Sequence, residues 1–91
     1  MTKERMEQIS LAVVSYHKAK GTIKMPDLIS QTEALELVLD RIKKFNDLRI
    51  VCGESLVGIS SMADKLCLPR KEYYEYNVAL RNKLNEGQRI Y

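Results

Sequence analysis

Apolar residues recur at helical spacing through the first part of the chain. The residues of this first stripe are Met6, Ile9, Val13 and Tyr16. Side chains spaced by three or four residues share one face of a helix, so this face is expected to pack against a core. Thr2 is a favourable N-cap residue, and Gly21 can adopt the left-handed conformation that ends many helices. The pattern therefore predicts a first helix over residues 3–20.

A connector that contains a proline follows this helix. It spans residues 22–29, and Met25 is biased towards extended backbone because Pro26 comes directly after it. Ile23, Met25 and Leu28 are apolar. We therefore expect the connector to lie across the core rather than in solvent.

A capping box predicts where the second helix begins. The Ser30 side chain can accept a hydrogen bond from the N–H of Glu33, whose carboxylate can bond back to the N–H of Ser30. An apolar stripe follows, formed by Leu35, Val38, Leu39, Ile42 and Phe45. The end of this helix has two interpretations. It continues to Gly53, which the lack of a partner strand favours, or it stops near Asn46 and leaves residues 48–52 as a short strand.

The last part of the chain is typical of two helices joined by a tight corner. Residues 54–58 lie between glycines and predict a loop, after which Ser60 or Ser61 can cap a third helix. That helix ends at Leu66-Cys67-Leu68. Pro69 then opens a fourth helix. Proline is favourable at the first helical position, because the N–H of that residue makes no hydrogen bond within the helix. The buried stripe of the fourth helix consists of Tyr73, Tyr76, Leu80 and Leu84.

These stripes predict an all-α fold, with residues 1–91 forming one compact four-helix domain. A chain of 91 residues has room for a single core. Because so small a core gains stability from association, a homodimer is also expected.

Residues 59–84 have the residue spacing of a helix-turn-helix motif. The side chains that such a helix pair would bury are Met62, Leu66, Leu68, Tyr73 and Tyr76. The small residue Ala63 falls where two crossing helices would approach closely. In this stretch the sequence resembles helix-turn-helix DNA-binding proteins, although it indicates no particular family. The resemblance implies a small DNA-binding regulator of transcription whose last helix enters the major groove of double-stranded DNA.

The N-terminal part of the fourth helix carries side chains that can read DNA. Arg70 can bond guanine through two donors, Asn77 can pair with adenine, and Lys71 can hold a phosphate. Ser60 and Ser61, with the N–H groups near them, can hold a backbone phosphate at the start of the third helix. The predicted DNA-binding residues are Ser60, Ser61, Arg70, Lys71, Tyr74, Asn77 and Arg81.

Other features favour a different function. Cys67 occupies the corner position where glycine usually permits a positive φ. Glu72 and Glu75 lie near the proposed groove face and would repel phosphates. An ordinary corner inside a helical bundle shares much of the pattern, and the projecting Tyr74 is typical of protein interfaces. The second hypothesis is therefore a protein–protein interaction module that binds and modulates a partner.

The charge distribution is compatible with either partner. The formal net charge is +3, from 15 basic and 12 acidic residues. Residues 1–21 and 69–91 are mildly basic, whereas residues 22–58 are slightly acidic. A polyanion can bind such a chain, but the charge does not demand one.

Few residues indicate catalysis or metal binding. Cys52, Cys67 and His17 lack the spacing of metal ligands, so we expect no metal or cofactor, and both cysteines are expected to be buried as small apolar residues. The chain has no phosphate loop or nucleophile motif, which argues against an enzyme. It begins without a signal-peptide pattern and has no apolar run of about 18–20 residues, which predicts a cytoplasmic protein without membrane association.

Overall fold

The computed structural model describes residues 1–24, 27–44 and 56–88. Within these ranges the chain is all-helical. The helices are α1 (Lys3–Ala19), α2 (Gln31–Lys44), α3 (Leu56–Lys65) and α4 (Arg70–Gln88). The prediction of an all-α, four-helix fold is therefore confirmed.

Helix α1 has the N-cap and the C-terminal glycine that the sequence predicts. Thr2 has extended backbone, and its Oγ1 accepts a hydrogen bond of 3.2 Å from the Arg5 N–H. At the other end Gly21 has a φ of +75°. The N–H of Gly21 donates to Lys18 O and that of Thr22 to His17 O, both at 3.0 Å. These two bonds form a Schellman motif, which satisfies carbonyls that the helix leaves without partners.

The buried face of α1 is rotated from the predicted stripe. Met6 and Ile9 are buried as expected, but Val13 and Tyr16 are only half-buried. The other buried side chains of this helix are Glu7, Ser10 and Val14. Burial of Ser10 is possible because its hydroxyl forms a 2.8 Å hydrogen bond with the Tyr76 hydroxyl of α4, so each of these two hydroxyls has a partner.

Helix α2 begins as its capping box predicts. The Glu33 N–H donates to Ser30 Oγ at 3.1 Å, and the Ala34 N–H donates to Ser30 O at 3.0 Å. The buried residues of α2 are Ala34, Leu35, Val38 and Ile42. Residues 45–55, and with them Phe45, Cys52 and both interpretations of the helix end, lie outside the described residues.

The connector follows only in part the prediction that it lies across the core. Ile29 packs against the core and Ile23 is half-buried, but Leu28 is 92% exposed. The Lys18 ammonium forms an ion pair of 2.9 Å with the Asp27 carboxylate. This pair places Asp27 beside α1, whereas the next residue, Leu28, is in solvent. Met25 and Pro26 lie outside the described residues.

Helix α3 begins at Leu56, so the predicted loop over residues 54–58 is wrong where the structure describes it. The cause is an apolar stripe of helical spacing formed by Ile59, Met62, Ala63 and Leu66. Gly58 within the helix costs about 1 kcal/mol relative to alanine. Burial of Ile59 alone contributes about 1.5–3 kcal/mol, which exceeds that cost.

All four helices contribute buried side chains to the core. Helix α1 packs against α2, α3 packs against α4, and α4 also contacts α1 and α2. Tyr73, Tyr76 and Leu80 are buried in α4 and Leu84 is partly buried, which confirms its predicted stripe. The inner face of α4 is thereby fixed, and the opposite face points to solvent.

Candidate nucleic-acid interface

The chain bends between α3 and α4 at Cys67, as the sequence predicts. Cys67 has a φ of +57°. Its N–H donates to Asp64 O at 3.2 Å, and the N–H of Leu68 donates to Ala63 O at 2.9 Å. The α3 helix therefore ends in a second Schellman motif, in which a cysteine takes the left-handed position that glycine usually occupies. Ala63 is fully buried, which agrees with its predicted place between two helices.

The expectation that Cys67 is buried is wrong. Its side chain is exposed, and its sulfur is a free thiol. The position that closes a Schellman motif lies outside the helix, so its side chain leaves the packed face that Ala63 occupies.

Arg70 reaches solvent, but its guanidinium already has a partner. The Tyr73 N–H donates to Pro69 O at 3.0 Å, so Pro69 caps α4 and Arg70 is its first helical residue. The Arg70 side chain is 65% exposed. Its Nε and Nη2 donate to the two carboxylate oxygens of Asp64 at 3.2 and 3.0 Å. These hydrogen bonds raise the pKa of Arg70 and join the two sides of the corner.

Glu72 is held by a residue that the sequence does not connect with it. Arg5 of α1 donates from Nε to Glu72 Oε2 at 2.9 Å and from Nη2 to Glu72 Oε1. The hydrogen bonds from Arg5 lower the pKa of the Glu72 carboxyl. Because 67 residues separate the two groups, no local spacing predicts the pair. Arg5 balances the charge of Glu72, so this carboxylate opposes an incoming phosphate much less than the sequence suggests.

The outer face of α4 carries an exposed stripe with helical spacing. Its residues are Lys71, Tyr74, Val78 and Arg81, and we call it the outer stripe. Tyr74 is 46% exposed and Val78 is 39% exposed. Sequence reasoning singled out three of the four and missed Val78, although its position four residues after Tyr74 indicates the same face. Glu75 is also exposed beside this stripe.

The prediction that Asn77 can face DNA is wrong. Asn77 is 5% exposed, and its Nδ2 donates to Tyr73 O at 2.8 Å. It lies four residues after Tyr73 and three before Leu80, both of which are buried, so its side chain faces the core. The bond to the preceding turn gives the buried amide a partner.

The predicted phosphate site at Ser60 and Ser61 is also wrong. Helix α3 begins at Leu56, so both serines lie inside the helix rather than at its cap. Backbone N–H groups in the interior of a helix are used by helical hydrogen bonds and cannot bind an anion. Ser61 is exposed and Ser60 is half-buried.

The described residues contain neither a candidate metal site nor a candidate membrane-spanning helix. Among the described residues, no three histidine, cysteine or acidic side chains are close enough together to hold a metal ion. No helix in the same part of the chain has both the length and the apolar character that crossing a membrane requires.

Comparisons of the chain with models of protein families, with curated proteins and with solved structures found no match. The outer stripe and the corner beside it carry the predicted DNA-binding residues Arg70, Lys71, Tyr74 and Arg81, all of which are exposed.

Proposed function

We propose that the protein is a small regulator that binds double-stranded DNA through the outer stripe of α4. The observation that carries this proposal is the division of α4 into two faces. Tyr73, Tyr76 and Leu80 anchor the inner face, while Lys71 and Arg81 project from the outer one. A helix that enters the major groove needs this division, because its base-reading side chains must leave the core that holds it.

The role proposed for Arg70 requires it to exchange partners. An exposed ion pair such as Arg70–Asp64 contributes little to stability, because water screens it. A guanine edge can accept two hydrogen bonds from the same guanidinium. Such an edge can therefore replace Asp64, which holds Arg70 at the start of α4 until DNA binds.

The remaining residues of the outer stripe have complementary roles. Lys71 and Arg81 neutralise phosphates along the groove. Tyr74 and Val78 present apolar surface that can pack against a thymine methyl group. Because the outer stripe of one protomer carries two cations, we propose that a homodimer supplies two such helices to two half-sites. The cytoplasmic location expected from the sequence stays a prediction.

Salt-dependent binding tests this proposal. Fluorescence anisotropy with a labelled generic duplex, measured between about 50 and 200 mM NaCl, should give a steep decrease in affinity with salt. Lys71→Ala and Arg81→Ala should each reduce the slope by about 1 for every bound protomer. Lys43→Ala is the matched control, because it removes an exposed lysine from α2. Equal slopes for all three variants and the wild type would remove the outer stripe from DNA binding.

The ion pair at the corner offers a test in the opposite direction. Asp64→Asn releases Arg70 and should strengthen DNA binding. Arg70→Gln in the Asp64→Asn background should cancel that gain, because the released guanidinium is then absent. If the double variant binds as tightly as Asp64→Asn alone, the gain comes from the lost negative charge and Arg70 has no contact with DNA.

The second candidate is a module that binds another protein through the same face. The observation that favours it is the exposure of Tyr74 and Val78 one helical turn apart. Tyrosine is enriched at protein interfaces, where an apolar ring is buried and the hydroxyl finds a partner. A salt-insensitive, stoichiometric complex lost in Tyr74→Ala, with no measurable affinity for duplex DNA, would favour this candidate over the first.

A further inference from the structure

A cavity of about 270 Å³ lies between the inner face of α4 and the other helices. All four helices contribute to its wall, as does Ile23 of the connector. The lining residues Val14, Val38 and Leu80 are buried. His17 and Arg41 are half-buried, as are Val13, Ile23, Leu37 and Met62, so the solvent-exposed rim of the cavity includes His17 and Arg41. An apolar cavity of about 150 Å³ is sufficient to hold benzene, so this one has room for a larger organic molecule.

The wall of the cavity is mainly apolar. Val14, Val38 and Leu80 line it and are each less than a tenth exposed. Each methylene group that moves from water into such surroundings strengthens binding about fourfold. A short hydrocarbon chain or a ring therefore suits the interior better than a sugar or a free phosphate.

Arg41 gives the opening of the cavity a positive charge. The ion pairs between described residues involve Arg5, Lys18 and Arg70, so none of them engages Arg41. His17 lies beside it in the wall, and its pKa is lowered first by burial and then by the charge of Arg41. A neutral His17 leaves the Arg41 guanidinium to attract an anion.

We propose that this cavity binds a small amphipathic carboxylate. The apolar body packs against Val14, Val38 and Leu80, and the carboxylate accepts hydrogen bonds from Arg41 at the opening. Guanidinium and carboxylate match in shape, so two parallel N–H···O bonds can form. The proposal is independent of DNA binding, because Arg41 is on α2 and the cavity faces the side of α4 opposite to the outer stripe.

Octanoate and 1-octanol are the probes that test this proposal, since they share a chain and differ in the head group. In isothermal titration of the full chain, octanoate should bind with one site per protomer and more tightly than 1-octanol. Arg41→Gln should weaken octanoate binding about tenfold or more and leave 1-octanol unchanged. Lys43→Gln is the matched control, because Lys43 is an exposed cation of the same helix that does not line the cavity.

Methyl NMR locates the bound probe without a further substitution. Met62 lines the cavity, whereas Met1 is exposed at the start of the chain. Octanoate should shift the Met62 methyl resonance and leave that of Met1 unchanged. Absence of saturable octanoate binding, an equal affinity for the alcohol, or no loss in Arg41→Gln would each overturn the proposal, as would a Met62 resonance that does not move.

Discussion

Helices α1 and α3 end in the same hydrogen-bond arrangement, but different residues occupy the left-handed position. Gly21 takes it after α1 with a φ of +75°, and Cys67 takes it after α3 with a φ of +57°. Glycine adopts this conformation without strain, whereas a residue with a Cβ atom pays about 1–2 kcal/mol. The α3 corner is therefore held in a conformation that its own backbone disfavours.

The surroundings of the two ends explain how the strained corner persists. At the Cys67 corner, Leu66 and Leu68 pack against the core on either side of the cysteine, and Asp64 binds Arg70 across the bend. Packing on both sides leaves the intervening residue little choice of conformation. Nothing in the structure explains the choice of cysteine over glycine at this position.

At the Gly21 end, polar groups rather than packing surround the turn. The Thr22 hydroxyl donates to His17 O at 3.0 Å and also lies 3.2 Å from His17 Nδ1. Because a hydroxyl has a single hydrogen, Thr22 must accept from Nδ1–H, which leaves Nε2 as the nitrogen that takes up a proton. The two ends thus share a backbone motif and differ in what stabilises it.

Substitution of both positions by alanine should give the largest contrast between the ends. Gly21→Ala introduces a Cβ with no heavy atom within 4 Å, so in the folded state its cost comes from the positive φ alone. We expect a loss of about 1 kcal/mol, or about 4–8 °C in Tm. Cys67→Ala should be close to neutral, because both residues carry a Cβ and the thiol is exposed. Urea unfolding measures both variants. A loss for Cys67→Ala as large as that for Gly21→Ala would contradict this expectation and would mean that the thiol itself stabilises the corner.

Cys67→Gly should stabilise the protein by a smaller amount. Relief of the positive φ contributes about 1–2 kcal/mol, and the added freedom of glycine in the unfolded chain removes about 0.4–1 kcal/mol. The net gain expected is about 1 kcal/mol or less in the free energy of unfolding. Cys67→Ala controls for loss of the thiol. A destabilised Cys67→Gly variant would mean that the corner is not strained.

The difference between the two ends also shows which features can be predicted from sequence. The caps at Thr2 and Ser30 follow from hydrogen bonds within one helical turn, so local residue types are sufficient to predict them. The bend at Cys67 was predicted from the Leu-Cys-Leu-Pro sequence without a glycine. The start of α3 was missed because Gly58 indicated a loop, whereas burial of Ile59 and its neighbours extends the helix through it.

Features that depend on distant partners could not be predicted. Ser10 is buried because Tyr76, 66 residues away, supplies its hydrogen bond. The charge of Glu72 is balanced by Arg5, which only the packing of α1 against α4 brings near. Asn77 is different, because its spacing from Tyr73 and Leu80 already indicated the buried face. The exposure of the outer stripe follows from helical spacing, whereas the partners of the charged residues around it depend on contacts between distant parts of the chain.

The ion pair at each end should contribute less than the backbone motif. Asp64→Asn breaks the pair with Arg70, and Asp27→Asn breaks the pair with Lys18. Both acids are exposed, Asp64 by 57% and Asp27 by 99%, so we expect both losses to be smaller than that of Gly21→Ala, with Asp27→Asn the smaller. Repeating the urea unfolding in 1 M NaCl should reduce both losses. A loss for Asp64→Asn above that of Gly21→Ala would show that the salt bridge, and not the backbone closure, holds the corner.

The smallest effect expected is a pH dependence confined to the Gly21 end. Burial and the charge of Arg41 lower the pKa of His17 from 6.5, so the folded protein binds a proton less readily than the unfolded chain. Stability is then complete above the unfolded pKa and decreases as the pH falls from about 7 to about 5. The lowered pKa values of Glu72 and Asp27 act at lower pH, since their ordinary values are 4.5 and 3.8.

Urea unfolding at about pH 7, 6 and 5 measures this decrease in the wild type and in His17→Gln. The variant should have a flatter profile, and Arg41→Gln should be intermediate because it removes the second cause of the shift and leaves burial. The effect is small because His17 is half-exposed and water screens its charge. If His17→Gln keeps the whole decrease, another group titrates in this range. The Gly21 end would then be insensitive to pH between about 7 and 5.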